Sequence, residues 1–237
     1  MCGRAYETYT AAELAALNGS EDPAELRWVT PNYNLAPTET SPVLLVQDSV
    51  RVVRPFRWGL VPSWAKSIQS TSKYALINAR GEEISKKPTY ATPFRRKRCV
   101  VPLSGFYEWQ RTRRSTRPFA IHLREQPIMP VAAVWEHWQP PDHSAPVFSF
   151  AIVTTTANDF MANIHERMPL ILSPQTIGHW LDPEIQDPDH LLPLVRPCPS
   201  EWLSAYEISP LVNSPTQKTV DVLRPTASST YQRTLTY

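Results

Sequence analysis

The stretch RCVVPLSGFYEWQ, residues 98–110, and the later run RPFAIHL, residues 117–123, carry the main fold signal of this sequence. β-Branched and aromatic residues are frequent in both runs, and such residues favour strands. A strand sends alternate side chains to opposite faces, so Phe106 and Glu108 should share one face and Tyr107 and Trp109 the other. We therefore predict two strands of a sheet, joined by the basic segment between them.

Similar runs recur on both sides of this pair. A hairpin is predicted by PVLLVQ (42–47) and SVRVVRPFRWGLVP (49–62), and further strands by PIMPVAAVWEHW (127–138) and VFSFAIVTTTAN (147–158). The run KYALINARGEEI (73–84) predicts a strand that continues into a loop or the start of a helix. Short helices are predicted at TAAELAALNG (10–19), where Thr10 and Glu13 form a capping box, at ANDFMANI (157–164) and at SPQTIGHWLD (173–182). The run EWLSAYEIS (201–209) fits either a helix or a strand.

This pattern predicts an α+β fold: a single compact domain with a mostly antiparallel, barrel-like sheet and peripheral helices. The chain has 237 residues and 25 prolines, which favour short elements and rigid loops. The domain is expected over residues 1–221. Residues 222–237 are polar and rich in Ser and Thr, so we predict a flexible tail there.

Composition excludes several classes of protein. Three cysteines without a CxxC pair disfavour both a disulfide scaffold and a structural zinc site, and we expect no metal or other cofactor. The sequence shows neither a signal peptide nor an apolar run of about 18 residues. We expect a soluble, intracellular monomer without a membrane partner. It would be nuclear in a eukaryote, and otherwise in the cytoplasm or nucleoid.

Basic side chains are concentrated in residues 95–117, which hold eight Lys or Arg and one acidic residue, Glu108, although the whole chain carries a net charge of only +2. A local basic patch on a nearly neutral chain is typical of a confined polyanion site. A solvated hairpin loop explains the same pattern equally well. Both interpretations remain open from the residues alone.

Cys2 follows Met1 directly in the opening tetrapeptide MCGR. Removal of Met1 would give Cys2 a free α-amine beside its thiol, and an α-amine titrates near ~7.7–8.0. Such a residue forms a Schiff base with an aldehyde, and its thiol can then close a five-membered thiazolidine ring. Arg4 is expected to favour the neutral amine and the thiolate through its charge. A second-position cysteine without any function is the alternative.

Four other residues are candidates for chemistry or binding. Asn78 and Arg80 end an apolar run and could bind a hydroxyl and a phosphate, or they could simply be a turn residue and a surface charge. Glu108 lies among aromatic residues and could be a general acid or base, or a rim residue. His165 lies in a predicted loop.

Two tryptophans in WGLVPSW could stack on bases of single-stranded nucleic acid. For Trp58 we favour a place in the core.

Six motifs in order, namely MCGR, NLAP (34–37), FRWGLVPSW (56–64), INAR (77–80), SGFYEW (104–109) and IHERMP (164–169), resemble the SOS-response-associated peptidase family. This family is also described as abasic-site-processing DNA–protein crosslink proteins, and the likeness spans Cys2 to about residue 213. The resemblance implies that mature Cys2 attacks the ring-opened aldehyde of an abasic site in single-stranded DNA. The product would be a stable thiazolidine crosslink that shields the lesion.

The resemblance also implies roles for individual residues. Asn78, Glu108 and His165 match the other active-site positions, with Glu108 and His165 moving protons and Glu108 helping to reverse the crosslink. The residues expected to contact DNA are Gly3, Arg4, Trp64, Arg80, Thr154 and Arg167. Ala65 stands where the family often has a second aromatic residue, which bears on recognition of junctions between single-stranded and duplex DNA.

Two other functions fit the same residues. The first is a cysteine peptidase, with its own Met1 as one candidate substrate, Cys2 as nucleophile and His165 as base. The second is a non-enzymatic nucleic-acid-binding module that uses only the arginines and tryptophans.

Overall fold

The computed structural model of the chain describes residues 2–19, 22–72 and 76–226. Its strands are β1 (Ala5–Glu7), β2 (Asn32–Leu35), β3 (Thr40–Gln47), β4 (Val50–Trp58), β5 (Asn78–Arg80), β6 (Arg98–Leu103), β7 (Gly105–Arg111), β8 (Thr116–Leu123), β9 (Met129–Trp138), β10 (Val147–Thr156), β11 (Arg167–Pro169) and β12 (Leu203–Glu207). Its α-helices are α1 (Ala11–Asn18), α2 (Ile68–Ser72), α3 (Pro88–Arg96), α4 (Asp159–Ala162), α5 (Pro174–Leu181) and α6 (Pro188–Leu191).

The strands form two sheets. One has the order β12-β8-β7-β1-β2, and the other has the order β11-β10-β4-β3-β6-β9, with β5 added beside β10. Strand β10 also pairs with β9, so β10, β4, β3, β6 and β9 close into a ring. The pairings of β10 with β4 and β5 are parallel, whereas the other strand pairs are antiparallel. The predicted single domain with a mostly antiparallel, barrel-like sheet is confirmed.

The stretch at residues 98–110 contains two strands rather than the one that was predicted. Strand β6 belongs to the ring, and β7 belongs to the five-stranded sheet. The chain changes sheets at Ser104, whose N–H donates to Tyr6 O at 2.9 Å and whose Oγ accepts from Thr8 N–H at 2.8 Å. At Gly105, a Cβ atom would lie 2.3 Å from Ile121 O, so only glycine permits this close approach.

Two apolar clusters account for most of the core. One joins the two sheets and contains Cys2, Phe106 and Phe150, while the other packs the second face of the ring against α1, α3 and α5. Trp58 is fully buried, donates its indole N–H to Ile77 O at 3.0 Å and stacks on Phe150, which confirms its predicted place in the core.

The helices follow their local sequence signals. Helix α1 has the predicted capping box of Thr10 and Glu13, and it ends at Gly19, which has a φ of 78°. Ser173 caps α5 as expected. Residues 201–209, which fitted either element, contain strand β12. Helix α3 was not predicted, because its internal Pro93 reads in the sequence as a helix breaker.

The packed structure continues beyond residue 221. Val222 is fully buried, Pro225 forms a bridge with Ile208, and Thr226 N–H donates to Glu207 O at 2.9 Å. Residues 227–237 of the predicted tail lie outside the described residues, as do residues 73–75 of the predicted strand at 73–84. Over the described ranges, the helices are all too short or too polar to cross a bilayer.

Candidate active site and nucleic-acid interface

Strand β1 places Cys2 beside β7. Ala5 lies opposite Phe106 in the antiparallel pair, and Tyr107 N–H donates to Arg4 O at 2.9 Å. The residues before Ala5 therefore run alongside those that follow Phe106. This register brings the segment with Cys2 and Gly3 to the level of Glu108.

The Cys2 side chain is fully buried. Burial strongly raises the pKa of its thiol, and the charge of Glu108 raises it further. Arg4 lowers this pKa through a backbone hydrogen bond, but desolvation outweighs that effect. Desolvation therefore favours the protonated thiol. The predicted effect of the Arg4 charge on the thiolate stays a prediction.

Asn78 contacts Cys2 directly. Strand β5 lies parallel to β10 with Asn78 opposite Ile152, and from there Asn78 Nδ2 donates to Cys2 O at 2.7 Å. Tyr90 Oη donates to the backbone oxygen of Asn78 at 3.1 Å, which fixes the strand from its other side. Asn78 Oδ1 is buried and has no hydrogen-bond partner within the described part of the chain. The amide thus holds Cys2 through its donor and keeps an acceptor available.

Glu108 lies within the same region and is 4% exposed. The predicted alternation along β7 is confirmed. Phe106 packs in the cluster that contains Cys2, whereas Tyr107 and Trp109 pack in a separate cluster with Tyr6. Glu108 shares the face of Phe106, and its charge acts on the Cys2 thiol. Of the two alternatives that the sequence left open, a rim residue and a pocket acid, the burial of this carboxyl next to Cys2 favours the pocket acid.

His165 lies in the turn between α4 and β11 and is half-buried. The backbone N–H of His165 donates to Met161 O at 2.8 Å, and its imidazole Nδ1 accepts from the backbone N–H of Arg167 at 3.0 Å. Nδ1 also lies 3.3 Å from Arg167 O, but the shorter contact with the Arg167 N–H favours the neutral tautomer that carries its proton on Nε2. Gln110 Nε2 donates to Asn163 O at 2.7 Å and so ties β7 to the same turn.

Thr154 and Arg167, both predicted to contact DNA, lie inside the protein. Thr154 is fully buried, and Arg167 is 8% exposed. The Arg167 guanidinium donates to both carboxylate oxygens of Glu82, at 2.7 and 2.9 Å, and to Thr154 O at 2.8 Å. A DNA phosphate could reach this guanidinium only if Glu82 moved, so a DNA contact here stays a prediction.

Arg4 and Arg80 differ in how far they are already engaged. Arg4 is partly buried, and its Nη1 donates to Asn34 Oδ1 at 2.8 Å and to Val212 O at 2.7 Å. Arg80 is exposed at the end of β5, two residues beyond Asn78. Gly3 is partly buried. Of these two arginines, Arg80 is therefore the one accessible to DNA.

Trp64 is 68% exposed, in agreement with a stacking residue. It borders a surface groove that is lined by Trp64, Lys66, Ser70, Thr71, Leu76 and Thr89. The neighbouring Ala65 is buried, and its backbone oxygen accepts from Trp138 Nε1 at 2.7 Å. This loop therefore presents a single aromatic ring to solvent.

The basic segment at residues 95–117 does not form one continuous charged surface. Lys97 pairs with Glu136 and Arg117 with Glu207. Arg98 is buried and donates to backbone oxygens at the ends of α3 and α5. The exposed cations of the segment are Arg95, Arg96, Arg111, Arg113 and Arg114. The polyanion interpretation therefore rests on these five arginines.

Sequence reasoning missed two structural partners of the site. Asn34 is fully buried and links Arg4 to the backbone of the 3₁₀ segment Pro210–Asn213 and to Ser214 O. Glu82 pairs with Arg167. Asn34 is the first residue of the motif NLAP, and Glu82 follows the motif INAR closely. Neither motif indicates which distant groups these two residues contact.

Comparisons with known proteins agree with this geometry. A family model described as SOS response associated peptidase (SRAP) matches residues 1–215. Abasic site processing protein YoqW of Bacillus subtilis (strain 168) is 37% identical over 194 residues, covering 81% of this chain and 85% of YoqW. Abasic site processing protein HMCES of Gallus gallus is 30% identical, covering 95% of this chain and 78% of HMCES. A crystal structure of a protein from Bacteroides thetaiotaomicron superposes with a TM-score of 0.84 at 26% identity, covering 95% of this chain and 100% of that chain.

Proposed function

Because this chain belongs to the SOS response associated peptidase (SRAP) family, we propose that it processes abasic sites in DNA. The finer proposal is that it senses these sites in single-stranded DNA, including junctions with duplex, and crosslinks to them through Cys2 as a monomer. The observation that carries this proposal is the convergence of Asn78 and Glu108 on Cys2. Removal of Met1, by the chain itself or by another enzyme, would create the reactive residue.

The proposed chemistry has two stages. The neutral α-amine of Cys2 adds to the aldehyde carbon of the ring-opened sugar, and the carbinolamine loses one water molecule to give an imine. The thiol then adds to the imine carbon, and its proton passes to the nitrogen, which closes the thiazolidine. No oxidant or reductant is consumed.

The surrounding residues suit these proton transfers. Asn78 orients Cys2 through its carbonyl oxygen, and Asn78 Oδ1 is placed to accept from the new amine or from a sugar hydroxyl. Glu108 would take the proton of the buried thiol and return a proton during reversal. His165, with its proton on Nε2, would donate to the sugar oxygen during ring opening.

Abasic sites offer no base to recognise, so binding must use the backbone and stacking. Arg80, Arg4 and the Gly3 backbone would contact phosphates, and Trp64 would stack beside the lesion. Arg167 and Thr154 would join them only if Glu82 released the guanidinium.

A cysteine peptidase is a weaker interpretation of the same residues. Such enzymes depend on a cysteine whose pKa is lowered by a neighbouring imidazolium. Burial instead raises the pKa of Cys2 strongly, which disfavours that thiolate.

The test uses purified protein and single-stranded DNA that carries one abasic site. We expect a heat-stable shifted band on a denaturing gel, and intact-mass measurement should show the loss of Met1. Cys2→Ala should abolish the shift, whereas Cys198→Ala, which changes a cysteine elsewhere in the chain, should keep it. An uncleavable tag before Met1 should also abolish it. A shift that survives Cys2→Ala would exclude Cys2 as the attachment point, and release of fragments from a peptide panel would support the peptidase.

A further inference from the structure

The carboxylate of Glu82 closes the turn that carries His165. Its two oxygens accept from the two terminal nitrogens of Arg167, and Oε1 also accepts from Thr156 N–H at 3.2 Å. Thr156 ends β10, and Arg167 begins β11, where the two residues lie opposite each other. One carboxylate therefore binds both ends of the connection that contains His165.

The contact continues from Arg167 to the imidazole. The same residue whose guanidinium binds Glu82 donates its backbone N–H to His165 Nδ1 at 3.0 Å. Its Nη2 also reaches Thr154 O and Thr154 Oγ1, at 2.8 and 3.1 Å, which anchors the arginine in β10. Ala157 N–H donates to Glu166 O at 3.0 Å and completes the turn. A shift of the Arg167 backbone would therefore move the group that selects the imidazole tautomer.

This ion pair differs from an ordinary surface pair. Exposed pairs contribute little to stability, but here the Arg167 side chain is 10% exposed and the contact is bidentate. Although burial alone would raise it, the hydrogen bonds from Arg167 and from backbone N–H groups hold the pKa of Glu82 below its ordinary value. Loss of the carboxylate would leave a buried cation without its counter-charge, and the guanidinium would move toward solvent.

We propose that Glu82 is a positioning residue for His165: through the two-point contact with Arg167, it holds the backbone N–H that keeps the imidazole proton on Nε2. This inference rests on the proposed role of His165 in the reaction. It assigns Arg167 a structural task in the free protein.

The test compares Glu82→Gln with Glu83→Gln. Both variants remove one negative charge, but Glu83 pairs with Lys87 on the surface and does not contact Arg167 among the described residues. Long-range ¹H–¹⁵N correlation spectra of the imidazole report which nitrogen carries the proton. We expect a predominant Nε2–H form in the unsubstituted protein and in Glu83→Gln, and a mixture of tautomers in Glu82→Gln.

Crosslinking rates give the second measurement. We expect Glu82→Gln to form the crosslink at least about tenfold more slowly, a part of the ~10²–10⁴-fold that a positioned acid or base contributes. Glu83→Gln should react at the original rate. Because the tautomer is read without DNA, failure of this inference is distinguishable from failure of the crosslinking proposal.

Unchanged tautomer and rate in Glu82→Gln would overturn the inference. Tighter DNA binding with a steeper salt dependence and the Nε2–H form retained would also overturn it, since Arg167 would then be a phosphate ligand that Glu82 masks. Thermal unfolding is measured for each variant. If Glu82→Gln does not fold, Arg167→Lys, which keeps the cation but cannot make the two-point contact, provides the same comparison.

Discussion

Replacement of Arg80 by Gln should reduce the salt dependence of single-stranded DNA binding. Arg80 is exposed at the end of β5, next to the Asn78 that holds Cys2. A phosphate contact on single-stranded DNA contributes about 0.7 to the slope of log K against log salt concentration. One lost contact should therefore lower the slope by about 0.7. Between 50 and 200 mM salt, the original protein should lose about 2.5-fold more affinity than Arg80→Gln.

The assay needs binding without reaction, so the DNA should carry a ring-closed abasic analogue that lacks an aldehyde. Fluorescence anisotropy at four or more salt concentrations gives the slope. Arg51→Gln is the matched control, because Arg51 is also exposed but lies near the other end of β4. Arg51 is separated from Trp58, the last residue of that strand, by roughly 23 Å at ~3.3 Å per residue. An unchanged slope in Arg80→Gln, or an equal change in Arg51→Gln, would refute the phosphate contact.

Three further predictions address other parts of the molecule. Trp64→Ala should weaken binding of the same analogue DNA by about 1–3 kcal/mol with an unchanged melting temperature, since the ring is 68% exposed; less than a twofold loss of affinity would argue against stacking. Cys2→Ser keeps the amine but lacks the thiol, so its DNA adduct should be heat-labile unless borohydride reduces the imine; a heat-stable adduct without reduction would contradict the thiazolidine. Burial raises the pKa of Glu7 to about 8, with Ser41 opposing and Glu39 adding to the shift. The folded state therefore keeps a proton that the unfolded state releases near pH 4.5, and stability is lost as the pH rises from 4.5 to 8. Between pH 5 and pH 8, the unsubstituted protein should lose on the order of 3 kcal/mol of unfolding free energy, measured in urea, and Glu7→Gln should lack this loss. Equal pH dependence in both proteins would exclude this role of Glu7.

The local signals in the sequence were sufficient for most elements but not for the change of sheet at Ser104. Runs rich in β-branched and aromatic residues predicted the hairpin of β3 and β4, and capping residues predicted α1 and α5. Within residues 98–110, apolar residues continue on both sides of Ser104, so the pattern shows one strand. The break arises from Tyr6 and Thr8, which are distant in sequence and supply the hydrogen bonds at the corner.

The candidate site shows a similar division. Cys2, Asn78 and Glu108 were named from motifs, and the structure brings them together. Burial of Arg98 and Arg167 could not be predicted, because a run of basic letters carries no information about which carbonyl or carboxylate lies opposite each side chain. The carboxylate of Glu82 and the backbone oxygen of Trp180 are 85 and 82 residues away from their arginines. Charge patterning therefore overestimated the number of cations that the segment at residues 95–117 exposes.

Burial of the Cys2 thiol also constrains the order of the proposed chemistry. With its pKa strongly raised, the thiol is a poor first nucleophile at neutral pH, whereas an α-amine with a pKa near ~7.7–8.0 is partly neutral there. In the proposed mechanism we therefore expect the amine to react first. Once the imine forms, the thiol attacks within the same residue, and effective molarities of about 10⁵–10⁸ M for such reactions compensate for the small thiolate fraction. Glu108 would then accept the proton that the thiol releases. Burial of the Cys2 thiol thus disfavours a peptidase but is compatible with a crosslinking residue. It suppresses reactions of the thiol with any electrophile that the amine has not already captured.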